Sequence, residues 1–238
     1  MDVVRYDLFY YVDLLNKHKP FAFSRYGDGE WYCILGYMGY NTDGHQYFSE
    51  LRNDLCRALL AQRPAPYFYA TAQRERTRLE REMENWCITH QVQISWHCTE
   101  VFLDANKAGI LWPLVDALRQ QQVAYVGPKH LQELIRCWTG IEKYVVVPRQ
   151  NCYLSKDQIL GFVRQRIAQG ADVVGFSAGM LSNVLIDNLW QEFNGRITLI
   201  DFGSIFDPYA SIISRSYMEE KVHNWQKLKQ MNFEHVVE

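Results

Sequence analysis

The chain has 238 residues, 48% of them hydrophobic and 22% charged, with a net charge of -2. That length and apolar content suffice for a full core in one α/β domain, while the small net charge neither attracts nor excludes polyanions as a whole, so that contact with nucleic acid would need a local patch. No apolar run is long enough to span a bilayer, and the first residues, MDVVRYDLFYY, lack the basic and apolar regions of a signal peptide, so a soluble cytoplasmic protein is expected.

Taken in chain order, the periodicity predicts an amphipathic helix over 3–17, with Leu8, Tyr11, Val12 and Leu15 on one face. After Pro20 a short apolar strand over 21–23 runs into a Gly-Asp-Gly-Glu turn, and a helix starts near Gly29 or Glu30 with Trp31, Ile34 and Leu35 inward. A helix over 48–61 leads through Pro64 and Pro66 to an aromatic strand over 67–70, a charged helix over 73–86 and a strand over 92–96. Helices over 112–121, 129–138, 155–169 and 179–193 then alternate with strands over 123–126, 143–147, 172–177 and 196–201. Such βα units build a mostly parallel, Rossmann-like sheet with helices on both faces, and the continuous apolar strands YVVV and VVGF fit burial on both sides. A single domain over 1–238 is expected, its core at about 20–210 and a helical extension over 211–238.

Ligands of parallel sheets sit at the carboxyl ends of the strands. Four turns meet there: 24–30, Gly127-Pro128, Ser177-Ala178-Gly179, and 201–207. In the first, Gly27 and Gly29 let the backbone approach a ligand, the helix start favours an anion, Arg25 adds a fixed cation, and Ser24 stands at the strand end. Asp28 and Glu30 have the chemistry to hold a divalent cation beside a diphosphate. Asp28 equally reads as an N-cap and Glu30 as a first-turn acid.

The run SRYGDGE, with the apolar helix that follows it to Gly36, resembles the signature of the GT-D-fold glycosyltransferases, a family first catalogued as a domain of unknown function. Similar segments follow in the same order: VAYVGP, VVVPRQNCY, GFSAGMLSNVLIDNL and LIDFGSIFDPY, so that the resemblance covers about residues 20–210. It implies transfer of a sugar from a nucleotide-diphosphate sugar, a UDP-sugar in the first place, aided by manganese or magnesium on an Asp-x-Glu motif that falls here on Asp28 and Glu30. It also favours ligand contact by Asn151, which otherwise reads as a cap of the turn before 155–169. Where the family often carries a His after the last strand's Gly, this chain has Ser204.

In the later turns Ser177, Ala178 and Gly179 read as a small-residue loop that receives phosphate or ribose, or as a tight turn in which only small residues fit, and Gly127 ends its strand in the same row. Asp201 ends the last strand. Asp207, before Pro208 in a loop over the crevice, is a candidate general base for the acceptor hydroxyl.

The six cysteines lack the spacing of a disulfide scaffold and read mostly as buried thiols, although Cys87, His90, His97 and Cys98 hold zinc-type ligand chemistry within a dozen residues. The acceptor reads first as a carbohydrate hydroxyl. Arg74, Arg76, Arg78 and Arg81, with Trp86, Trp96 and Trp112 as stacking surfaces, leave open a phage-type enzyme that glycosylates a hydroxymethylated pyrimidine in DNA. Glu75, Glu80, Glu82 and Glu84 interleave those arginines and favour a solvated helix with internal ion pairs. A nucleotide-binding module or a phosphohydrolase is the alternative of another class. Arg215, Tyr217 and Trp225 read as closing over the site or as part of a helix docked on the sheet.

Overall fold

The computed structural model describes residues 3–72, 77–215, 218–219 and 223–234. Its strands are β1 (Val3–Val4), β2 (Ala22–Tyr26), β3 (Tyr67–Thr71), β4 (Trp96–Cys98), β5 (Val123–Pro128), β6 (Lys143–Val147), β7 (Val173–Phe176) and β8 (Thr198–Asp201). They form one sheet in the order β1-β4-β3-β2-β8-β7-β5-β6, and every pairing is parallel. This is the expected Rossmann-like α/β architecture.

The connecting helices are α1 (Leu8–Asn16), α2 (Asp28–Ile34), α3 (Ser49–Leu60), α4 (Arg78–Thr89), α5 (Val101–Lys107), α6 (Trp112–Arg119), α7 (Gln132–Thr139), α8 (Lys156–Ala168), α9 (Leu181–Glu192) and α10 (Trp225–Phe233). The period-two alternation of β2 divides them between two cores. Ala22 and Tyr26 pack with Trp31 of α2, Leu55 of α3 and Val184 of α9, whereas Phe21 and Phe23 pack with Tyr11 of α1, Phe102 of α5 and Leu114 of α6. A central strand buried on both faces thus carries its successive side chains into opposite layers, which sends Ser24 one way and Arg25 the other.

Local chemistry moves several boundaries. Residues 3–17 are not one helix: the β-branched pair Val3-Val4 pairs with Trp96 and His97, and α1 begins only after Asp7, whose side chain accepts from the Tyr10 amide at 3.2 Å. Thr77 and Glu80 form a reciprocal capping box that starts α4 later than the charge pattern indicated, and residues 73–76, with Arg74 and Arg76, lie outside the described residues. The strand expected over 92–96 is instead Trp96–Cys98, where the register with β3 places it. Helix α5 was not anticipated, and no side chain caps its start.

The zinc alternative is corrected. Among the described residues no group of three His, Cys, Asp or Glu side chains is disposed to hold a metal. The His97 ring is buried against Phe68, shares a 2.6 Å hydrogen bond through Nδ1 with the Tyr11 hydroxyl, and is pushed by burial down to about 4. His90 stacks on Trp86. All six cysteines are free thiols. No helix among the described residues is long and apolar enough to cross a membrane.

At the other end of the chain, Trp225 donates its indole N–H to the Met218 carbonyl, and Phe233 stacks on Trp138 of α7. Helix α10 is therefore docked on the outer layer, as the second reading of that segment had it. Tyr217 lies outside the described residues.

Candidate active site

The site begins where β2 ends. Gly27 is extended at the N-cap of α2, and Glu30, on the third helical residue, turns back so that Oε2 accepts the Gly27 amide at 2.8 Å. That bond satisfies an orphan helix donor and takes the Gly27 amide out of the set of groups open to an anion. Glu30 is desolvated, and the charge of Asp201 at the end of β8 acts on it in the same direction; the amides and Arg25 oppose them, and its carboxyl stands at about 7. Asp201 is likewise raised, to about 6, by burial, against the pull of Arg25 and hydrogen bonds that include the Gly203 amide at 2.9 Å. Two desolvated carboxyls and one guanidinium therefore share the space between neighbouring strand ends, an arrangement that a further cation would relieve.

Arg25 is fixed by its neighbours. Gly203 has a left-handed φ of 57°, and a Cβ there would lie 1.7 Å from Arg25 Nη1, so only glycine leaves room for the guanidinium. The Arg25 Nε is buried without a hydrogen-bond partner among the described residues. Behind it Asn183 of α9, fully buried, donates from Nδ2 to the Arg25 carbonyl at 2.6 Å and to the Ser24 hydroxyl at 3.2 Å. Ser24 is thus enclosed beneath the site and acts on it through the backbone. Asn183 was not singled out in the sequence, and the run MLSNVLIDNL, which also holds Ser182, Asp187 and Asn188, carries no signal that sets it apart.

Asp28 and Glu30 stand two residues apart on a helix and do not face each other. Asp28 lines a small cavity with Tyr26, Trp31, Thr71, Thr77 and Glu80, whereas Glu30 turns toward Gly27 and Asp201. Glu30 and Asp201 are the acids that this arrangement brings together while Asp28 stands apart, and among the described residues no group of three His, Cys, Asp or Glu side chains is disposed to hold a metal.

The other strand-end turns meet the same crevice in different roles. Ser177 donates from Oγ to the Gly203 carbonyl at 2.6 Å and shares a 2.7 Å hydrogen bond with the Tyr125 hydroxyl, so it ties β7 and β5 to the loop after β8. The Ala178 amide donates to Ser182 Oγ, and Gly179 adopts φ 54° with its Cα facing the His45 ring. Gly127 is a packing position: a Cβ would meet the Tyr144 hydroxyl at 2.7 Å. Asn151 is left-handed and accepts the Gln46 amide on Oδ1 at 2.8 Å, which makes it a tie to another loop. Asp207 is not in a free loop but opens a 3-10 turn (Asp207–Ala210), is buried, and has both oxygens engaged by His130 and Ser214.

The element that joins these turns is the segment 36–47, which the sequence reading passed over. Asn41 Oδ1 accepts the Asp43 and His45 amides, its side chain packs on Gly29, and Asp43 pairs with Arg215 at 2.7 Å. The same segment reaches Gly179 through His45, Asn151 through Gln46, and Gln150 through Gly44. Its turn residues, YMGYNTDGHQY, are the signal that could have found it. A second, open groove lined by Arg57, Arg63, Asp187 and Gln191 between α3 and α9 touches none of the residues expected in the site.

No family model matches the chain, and no curated protein matches it at a significant level. Solved structures do. A structure of the highly conserved domain of unknown function 1792, described as having a distinct glycosyltransferase fold, superposes with a TM-score of 0.65 at 14% identity, over 87% of this chain and 80% of that one. A structure described as a new glycosyltransferase of the same domain type from Streptococcus sanguinis gives 0.65 at 17% identity, over 93% and 87%. The chain therefore has the fold of domain of unknown function 1792, a distinct glycosyltransferase fold, as the resemblance of its SRYGDGE segment led us to expect.

Proposed function

We propose that this protein is a glycosyltransferase that moves a sugar from a nucleotide-diphosphate sugar, a UDP-sugar in the first place, to a hydroxyl of a glycan acceptor. The observation that carries the proposal is the Glu30, Asp201 and Arg25 cluster at adjacent strand ends, desolvated and electrostatically strained, in a sheet with a glycosyltransferase fold. Breaking the bond between sugar and diphosphate leaves negative charge on the leaving group, and a fixed donor aimed at that charge lowers the barrier. Arg25 would supply it through its guanidinium, for which Gly203 leaves room and whose backbone Asn183 holds at the carbonyl. Glu30, with Asp28 lining the neighbouring cavity, would hold manganese or magnesium, which when bound would neutralise part of the diphosphate charge as a Lewis acid. The segment 36–47 excludes water from the donor.

A glycan fits better than DNA as acceptor. Arg78 is paired with Glu82 at 2.8 Å, and Glu82 also accepts from the Tyr37 hydroxyl, so that this arginine is neutralised within its own surface. Incubation with a panel of nucleotide sugars and manganese, with and without acceptors, separates the readings. Acceptor-dependent release of nucleotide diphosphate is expected. Release that ignores the acceptor would identify a hydrolase, and absence of release with retained nucleotide binding a binding module.

A further inference from the structure

Asp207 is a poor candidate for the base that activates an acceptor, because neither of its oxygens is open. Ser214 donates to Oδ2 at 2.6 Å, and His130 Nε2 stands 3.1 Å from Oδ1. The same contacts make it a good orienting group. A carboxylate facing Nε2 selects the tautomer that carries its proton there and leaves the lone pair on Nδ1, which has no hydrogen-bond partner among the described residues. The His130 side chain is 27% exposed, against 11% for that of Asp207, so the imidazole and not the carboxyl reaches solvent.

The dyad lies on the crevice. His130 sits in the 3-10 turn (Lys129–Leu131) at the carboxyl end of β5, and Asp207 in the turn that follows β8. Between those strands runs β7; β5 leaves through α7 on one face and β7 through α9 on the other, and such a reversal opens a cleft at the strand ends. Tyr125 connects the dyad to the donor side. Burial holds its hydroxyl far above the usual range, and the charges of both Asp207 and Asp201 add to that effect. That hydroxyl bonds Ser177, which donates to Gly203, and Gly203 lies against Arg25.

We propose that His130 is the general base of the transfer and that Asp207 positions it. The assignment rests on the glycosyltransferase reading above. In the step, the acceptor O–H proton passes to His130 Nδ1 as the acceptor oxygen forms its bond to the anomeric carbon on the face opposite the diphosphate. The bond from that carbon to the diphosphate oxygen breaks, and its electron pair leaves with the diphosphate. The imidazolium, stabilised by the Asp207 carboxylate, returns its proton to water after the product departs. The anomeric centre is inverted.

The test compares the wild-type protein with His130→Ala, His130→Gln and Asp207→Asn in acceptor-dependent transfer, with binding of UDP and manganese by thermal shift and product stereochemistry by NMR. Loss of one positioned base is expected to lower kcat by about 10²- to 10⁴-fold in His130→Ala. UDP binding should be unchanged, added imidazole should restore part of the rate, and the product should be inverted. His130→Gln keeps a donor for Asp207 but no basic nitrogen, so it should remain folded and equally inactive, while Asp207→Asn should lose less. Wild-type turnover in either His130 variant, a retained anomeric configuration, or a loss that imidazole leaves untouched would overturn the base and leave the transferase reading standing. Absence of transfer by the wild-type protein with every donor and acceptor would remove both.

Discussion

The Arg25 guanidinium occupies the place where residue 203 would carry its Cβ, at 1.7 Å from Nη1. Gly203→Ala must therefore move the arginine and also hold a non-glycine residue at φ 57°, which costs about 1–2 kcal/mol. Nucleotide diphosphate binding is expected to weaken along with the melting temperature. A variant that melts lower but binds UDP and manganese as tightly as the wild type would show that Arg25 does not face the diphosphate.

Glu30→Gln should abolish transfer while the fold stays intact, since Gln still accepts the Gly27 amide. Circular dichroism and acceptor-dependent release of nucleotide diphosphate check both halves, and transfer at wild-type rate with the metal chelated would refute the role assigned to Glu30.

The same carboxyl sets a pH dependence of stability. Glu30 is raised from 4.5 to about 7 and Asp201 from 3.8 to about 6, so between those values the native state binds more protons than the unfolded chain. Stability from these two groups is complete below about 4 and falls as pH rises toward 7. In metal-free buffer at pH 8 Glu30→Gln should unfold later than the wild type, by on the order of 1 kcal/mol for a partly solvated group, and the gain should vanish at acid pH. A variant less stable than the wild type at pH 8 would contradict the desolvation.

Asn183→Ala removes two hydrogen bonds from the end of β2 and strands the buried Arg25 carbonyl and Ser24 hydroxyl. A loss of about 1–3 kcal/mol is expected in urea unfolding, with weaker UDP binding because the support of Arg25 is gone.

Asp43→Asn should behave differently. The pair with Arg215 is partly exposed on both sides, so stability should change by less than about 1 kcal/mol, while KM for the donor rises because the segment 36–47 loses one anchor. Unchanged KM would separate that segment from donor binding.

Much of this was legible in the chain. Strands such as Lys143–Val147 and the βα alternation after residue 112 follow from apolar runs bounded by turns, and the parallel sheet follows from their connections. Two-residue β1 was not legible, because a pair of valines becomes a strand only when Trp96 and His97 lie beside it. The site divided in the same way. Glu30 and Arg25 could be placed because they follow a strand into a helix. Asp201 as the electrostatic partner of Glu30, Ser24 as a buried support and His130 as the partner of Asp207 depend on contacts between distant segments, which leave no periodic trace.

The segment 36–47 is staked to the turns after β2, β6 and β7 and to Arg215. Lifting it breaks these contacts together, so on the proposed reading a donor that binds beneath the segment would be coupled to the Asp43–Arg215 ion pair. Hydrogen exchange at residues 41–47 should slow in step with nucleotide occupancy, and the chain around Arg215 should report the donor although it stands outside the row of strand-end turns.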